Sequence, residues 1–202
     1  VKNNFRMLFK LPLSIFYTKV ENEPIVNELT TIHRTKLLFS PSFALLWKAF
    51  DNWTLSANGK YDMYSTRWPN LLTAYLMKNY RTLSRNRVNL TESRLATINA
   101  KLQYKNILNE FFAYLSGTVG RQWSDIMYGT TINKNVHTVI QAEYLPNHID
   151  NYTLTANLRK EFGRYNTSVE LTGSYAINQS KILRQSVISD YRFDSYSIIS
   201  HF

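Results

Sequence analysis

Apolar and polar side chains alternate along most of this chain with a period of two. The clearest case is 151–178, where Tyr152, Leu154, Ala156, Leu158 and Phe162 share one parity, against Thr153, Thr155, Asn157, Arg159 and Glu161. Past Gly163 the alternation resumes with Val169, Leu171, Gly173, Tyr175 and Ile177, against Ser168, Glu170, Thr172 and Ser174. Successive side chains of a β-strand point to opposite faces, so each run predicts a strand with one apolar and one polar surface. The short connection at 163–166 makes the pair an antiparallel hairpin. A face carrying Arg159, Glu161 and Glu170 needs water. The opposite face must meet either a soluble core or lipid.

The same pattern predicts further strands. Residues 5–17 place Phe5, Met7, Phe9, Leu11, Leu13, Ile15 and Tyr17 on one parity, with Pro12 on the other, where it removes a ladder donor. A polar loop over 18–34 leads to a strand over 35–50, a tight turn at Asp51 and Asn52, and a strand over 53–63. Residues 64–92 break the alternation, and the apolar spacing after Pro69 suits a short helix over 69–76. Strands return over 96–104 and 111–119, joined by a turn at 105–109. Residues 136–144 also alternate, and two placements are open: a wall strand, or an extension within one long excursion over 123–150. The other connections alternate long and short, as the two rims of an up-and-down barrel do. Treating 123–150 as one excursion keeps that order and is preferred. A long connection over 178–195 then precedes a last strand begun at Tyr196, which gives seven full wall strands and a stub.

Strand length argues for lipid. Residues 53–63 extend over roughly 37 Å, and a tilt near 45° leaves about 26 Å of vertical reach. That matches the height of an outer-membrane apolar band, whereas globular strands favour about 5–6 residues. Aromatic residues gather beside the short turns, as in an interfacial girdle, and Trp47, Trp53, Phe111, Phe162 and Tyr165 are the candidate lipid-interface residues. The expected fold is all-β: an antiparallel up-and-down transmembrane β-barrel, with residues 1–202 forming part of its wall and no plug domain. Seven strands and a stub cannot close, so the expected sheet is open, without a ladder between its first and last strands. Two competing expectations are a small complete outer-membrane barrel with a structural or adhesive role, and a soluble ligand-binding barrel, whose strands also alternate.

Composition narrows the chemistry. The 202 residues include no cysteine, so neither disulfides nor thiolate metal sites are available. No apolar run reaches the ~18 residues of a membrane-spanning helix, and no signal-peptide pattern follows Val1. The net charge of +10 comes from 24 Lys and Arg spread along the chain. That spread argues against nucleic acid and suits anionic lipid head groups. His33, His137, His148 and His201 show no ligand spacing. Ser124, Asp125 and His137 lack a nucleophile elbow. No enzymatic activity, metal or cofactor is expected. In the long loops, Trp68, Tyr75, Tyr80, Arg81, Arg85 and Trp123 are candidate contacts to a ligand or plug, because aromatic and Arg side chains supply most of the energy at binding surfaces. Lys60, Lys101, Arg159 and Glu170 should face a lumen.

The runs LPLSIFY (11–17), LLFSPSFALLWK (37–48), NWTLSANGKYD (52–62), NYRTLSR (79–85), ESRLATINAKLQYKN (92–106) and DYRFDSYSI (190–198) carry a likeness along nearly the whole chain. It resembles the barrel of Bacteroidetes TonB-dependent outer-membrane receptors. The resemblance implies a Gram-negative outer-membrane location and a ~22-stranded barrel plugged by an N-terminal domain, of which this chain is about a third. It also implies non-enzymatic import of a scarce nutrient. The implied partners are TonB, the plug, outer-membrane lipid with lipopolysaccharide, and a surface lipoprotein.

Overall fold

The computed structural model describes residues 4–22, 30–65, 76–86, 92–132 and 138–202. Its strands, in chain order, begin with β1 (Asn4–Lys10), β2 (Leu13–Asn22), β3 (Thr30–Phe39), β4 (Ser42–Phe50), β5 (Trp53–Ser65), β6 (Leu76–Asn79) and β7 (Thr82–Asn86). They continue with β8 (Glu92–Asn106), β9 (Phe111–Ser124), β10 (Met127–Ile132), β11 (Thr138–Glu143), β12 (Asn147–Phe162), β13 (Thr167–Arg184) and β14 (Val187–His201). No α-helix occurs among the described residues. The helix expected over 69–76 falls largely outside them. The fold is all-β, built on one large, mostly antiparallel sheet.

Eight strands stand side by side as a wall in the order β1-β4-β5-β8-β9-β12-β13-β14, each antiparallel to the next. Among the described residues β1 and β14 are its edges, and no ladder joins them. The β2–β3 hairpin continues the β1–β4 pair in the same register: Lys10 stands opposite Ser42, and Leu13 opposite Phe39. Between them the ladder is cut where Pro12 and Pro41 fall on paired strands. Neither proline can donate a backbone hydrogen bond, and one bond, Ser40 N–H to the Pro12 carbonyl at 3.2 Å, bridges the gap. The strand expected over 35–50 is therefore two strands broken at Ser40-Pro41.

The short connections are stitched to one another. The Lys105 amide donates to the Asn52 carbonyl at 2.8 Å, and the Glu161 amide to the Glu110 carbonyl at 2.9 Å. The Glu110 carboxylate accepts from the Gly163 amide at 3.0 Å. Gly163–Tyr165 makes one 3-10 turn, closed by Asn166 in the left-handed region at φ 49°.

Three expectations need correction. The polar loop over 18–34 is shorter, because β2 runs to Asn22 and β3 starts at Thr30. The long connection over 178–195 does not exist. Strand β13 runs to Arg184, Gln185 and Ser186 turn the chain with φ of 49° and 63°, and β14 starts at Val187. Positive φ at both central residues marks the tight hairpin turn that Asn-Gly usually signals, and Gln-Ser does not announce it. The last strand is consequently no stub: its 15 residues pair with β13 throughout.

The two long excursions share a small sheet. Strands β6 and β7 from one pair with β11 and β10 from the other, through parallel β7–β11 pairing. Strand β10 then lies parallel to the end of β13, with Gly129 opposite Leu183, in the position that β12 vacates beyond the Asp150–Gln179 pair. Strand β11, over 138–143, is thus a strand of the excursion sheet, while β9 and β12 pair directly with each other.

A single layer leaves almost no interior. Met127 and Leu183 are the only buried apolar side chains among the described residues. The accessible surface is 14777 Å², against about 9,800 Å² for a compact soluble monomer of this mass. Packing is tight only where strands face each other closely: a methyl group built on Gly59 would overlap the ring of Phe43 directly opposite, whereas one on Gly173 would meet nothing. Gly59→Ala should therefore destabilise by about 1–3 kcal/mol, and Gly173→Ala should be neutral or slightly stabilising. Denaturant midpoints of the two variants check this.

Candidate functional site: a slanted apolar band and its polar reverse

The register aligns the alternation of eight strands into rows. Met7, Leu45, Ala57, Ala100, Gly117, Leu154, Tyr175 and Tyr196 stand opposite one another, strand after strand. The next row on that face is Phe5, Trp47, Leu55, Leu102, Leu115, Ala156, Gly173 and Ile198. On the reverse, the row between them is Arg6, Leu46, Ser56, Lys101, Ser116, Thr155, Ser174 and Ser197. The apolar face is the open one: Leu154 is 50% exposed, Leu158 48% and Ile198 78%. The polar face is knit together. Asn157, 6% exposed, donates to Glu170 at 2.6 Å and Thr172 at 2.7 Å, and Asn99 donates to Thr118 at 2.6 Å. This is a core pattern turned inside out, since polar groups crowd together only where partners satisfy them.

The apolar band is slanted. On the side of the long excursions it ends at Tyr196 on β14, Ile177 on β13, Tyr152 on β12 and Val119 on β9. It ends at Ala96 on β8, Met63 on β5, Leu37 on β3 and Tyr17 on β2. Ile177, Tyr152 and Val119 form one row, opposite Ile98. With the β4–β5 register extended past Ser40-Pro41 into the separately paired β2–β3 hairpin, the edge climbs ten residues from β14 to β2 in seven strand-to-strand steps, two at each of five steps. A slope of roughly 1.4 residues per step, at ~3.3 Å per residue and ~4.8 Å between strands, corresponds to about 45°. The opposite edge climbs in the same sense, through Phe162, Phe111, Tyr104, Trp53, Trp47 and Phe5. Trp53 and Tyr104 are 4.9 Å apart there, and Tyr104 and Phe111 6.0 Å.

Charge begins directly above the band. Arg121 and Asp150, one row past Val119 and Tyr152 on the same face, pair through two bonds of 2.6 and 2.8 Å across β9 and β12. Hydrogen bonding to Arg121 outweighs desolvation and holds the Asp150 carboxyl below its ordinary range. Arg192, opposite Gln179, shares this row, and Arg94 and Lys181 stand one row further from the band on the same face.

The sequence-predicted residues fall in several places. Trp47, Trp53, Phe111 and Phe162 line the lower edge of the band, and Tyr165 stands in the 3-10 turn beyond it. Tyr80 and Arg81 form the β6–β7 turn, with the guanidinium 5.1 Å from the ring centre. Arg85 lies in β7, opposite Gln141 of the excursion sheet. Trp123 belongs instead to wall strand β9, opposite Arg94 and His148. Trp68 and Tyr75 lie outside the described residues. The side chains of His33 and His137 also lie outside what is described. Ser124 bonds within its own turn, to the Ile126 carbonyl at 3.0 Å. Sequence parity could not find the Arg121–Asp150 pair, because the two residues meet only through the β9–β12 register.

Comparison with models of known protein families, with curated proteins and with solved structures finds no match.

The Arg121–Asp150 pair makes an acid-range prediction. A lowered carboxyl contributes stability that is complete above its unfolded value, near pH 4, and is lost as pH falls through the folded value. Amides beside the pair, at the end of β9 and the start of β12, corrected for intrinsic exchange rates, should exchange faster below about pH 4. Asp150→Asn should abolish that acid dependence.

Proposed function

We propose that this chain is a stretch of the wall of an outer-membrane β-barrel, in which the apolar face meets lipid and the polar reverse faces a water-filled or plugged lumen. The observation that carries this reading is the slanted band. Strands of membrane barrels tilt by about 35–45°, so a hydrocarbon layer of constant height must cut their register obliquely, at the slope found here. The band is also the right height: the ten residue-to-residue rises from Tyr152 to Phe162 reach about 24 Å when tilted at 45°, against an apolar band of about 25 Å. A soluble barrel would turn its apolar parity inward, whereas here the crowded face is the polar one. A small complete barrel would need a β1–β14 ladder, which is why the reading favours a part of a larger barrel.

Within that class, the resemblance of the barrel segments supports a TonB-dependent nutrient receptor, a transporter rather than an enzyme. TonB, a plug domain and surface lipopolysaccharide are its partners on this reading, and the outer membrane its location. The intact protein should then be captured by the periplasmic domain of TonB. Failure of that capture, together with transport that persists without TonB, would identify a barrel of another kind.

The membrane reading is tested by charge on the two faces. Leu115→Arg and Leu158→Arg, near mid-band, should each destabilise folding into bilayers by about 2–4 kcal/mol, and Ser116→Arg on the reverse face by much less. Equal penalties on both faces would refute the lipid-facing assignment.

A further inference from the structure

The polar reverse of the wall divides electrostatically into two halves. On β9, β12, β13 and β14 it carries Arg159 and Arg184 against Glu161 and Glu170, an even balance. On β1, β4, β5 and β8 it carries Arg6, Lys10, Lys48, Lys60, Lys101 and Lys105 against the single acid Asp62. Asp62 is already engaged by Lys60 at 2.7 Å. Among the described residues no carboxylate bridges Arg6, Lys10, Lys48, Lys101 or Lys105.

These cations are graded in depth. Lys60 lies three residues below the band's upper edge at Met63, and Lys101 five below Ala96. Lys10 lies seven below Tyr17, and Lys105 nine below Ala96. Arg6 lies eleven below Tyr17, and Lys48 eleven below Leu37. With tilted strands they step down from about 7 to about 26 Å beneath that edge. Two of the ammonium groups rest on aromatic rings of β9: Lys101 is 4.1 Å from the centre of Tyr114, and Lys105 5.8 Å from that of Phe112. Ser56, Asn99 and Gln103 supply neutral hydrogen-bonding groups between them.

We propose that this half of the polar face is a wall for small multivalent oxyanions, solutes bearing phosphate or several carboxylates, which pass from cation to cation through the depth of the barrel. The inference rests on the lumen-facing reading above and names the class of solute. A water-filled space bounded by low-dielectric walls concentrates counter-ions of the lining charge. Rings of Lys and Arg are the lining that anion and phosphate pores use. Repeated weak sites let an anion enter and still leave, which one deep site would not.

The test uses the intact protein purified in detergent, with tripolyphosphate as the probe and calorimetry at low salt. Wild type should bind, with affinity falling as salt is added. The triple variant Lys48→Gln, Lys101→Gln, Lys105→Gln should bind at least about tenfold more weakly, and the matching Lys→Arg triple should restore binding. Arg94→Gln with Lys181→Gln removes two cations from the apolar-face rim and should leave binding within about twofold. No binding by wild type, or equal loss in the lumen and rim variants, would overturn the proposal. Flotation of the same preparations with lipid vesicles separates the two claims. Insertion without anion binding overturns the oxyanion wall alone, while failure to insert overturns the membrane reading beneath it.

Discussion

A slab of hydrocarbon of fixed thickness, crossed by tilted strands, is the constraint on which the membrane reading of this sheet depends. It requires each strand to be apolar on one face for a limited length, and it requires the edges of that length to shift in one sense along the register across the sheet. Both features are present. The apolar rows run unbroken through their centre, from Met7 to Tyr196, and the edges of the band cut across the hydrogen-bond rows. A soluble sheet packed on a partner layer has no reason to offset its apolar stretch in one sense across the whole sheet. On the membrane reading the same slab accounts for polar side chains supplying the internal contacts. Asn157, Glu170 and Thr172 hold one another on the polar face, opposite the apolar band.

How much of this was legible in the sequence follows from the same constraint. Within the band the alternation is nearly complete, interrupted by Lys160 on the apolar parity and Phe112 on the polar one, and the strands over 53–63, 96–104, 111–119 and 152–162 are plain from parity alone. Outside it, neither face need be apolar and the signal disappears. The end of β13 beyond Ile177 and the start of β14 before Tyr196 are mixed in character, and so they read as a long loop. The turn between them, Gln185-Ser186, takes left-handed conformations without the glycine or asparagine that would have marked it. The excursion strands β6, β7 and β10 are short and partnered across two loops, so their pairing is not written in any local pattern. The alternation of β11 was visible, but its neighbours were not.

The site was legible by face and not by place. Parity assigns Lys60, Lys101 and Arg159 to the polar side and Trp47, Trp53, Phe111 and Phe162 to the rim of the apolar one. Depth requires register, which pairs residues far apart in the chain: Ser116 with Lys101, and Asp150 with Arg121. The slope of the band, the charged row above it and the one-sided ladder of cations all become visible only when those offsets are known.

Depth is therefore what most directly tests the account. The chain has no cysteine, so single labels can be placed at will. Spin labels at Tyr17, Met63, Val119 and Tyr196, in protein reconstituted into bilayers, should report one common depth from oxygen and nickel accessibility, although these residues lie on four different register rows. Labels at Phe9 and Val119, which share a row through Phe43, Gly59 and Ile98, should differ by roughly 19 Å, the eight-residue climb at 45° tilt. Equal depth along that row, or labels that never meet lipid, would contradict the membrane-crossing sheet.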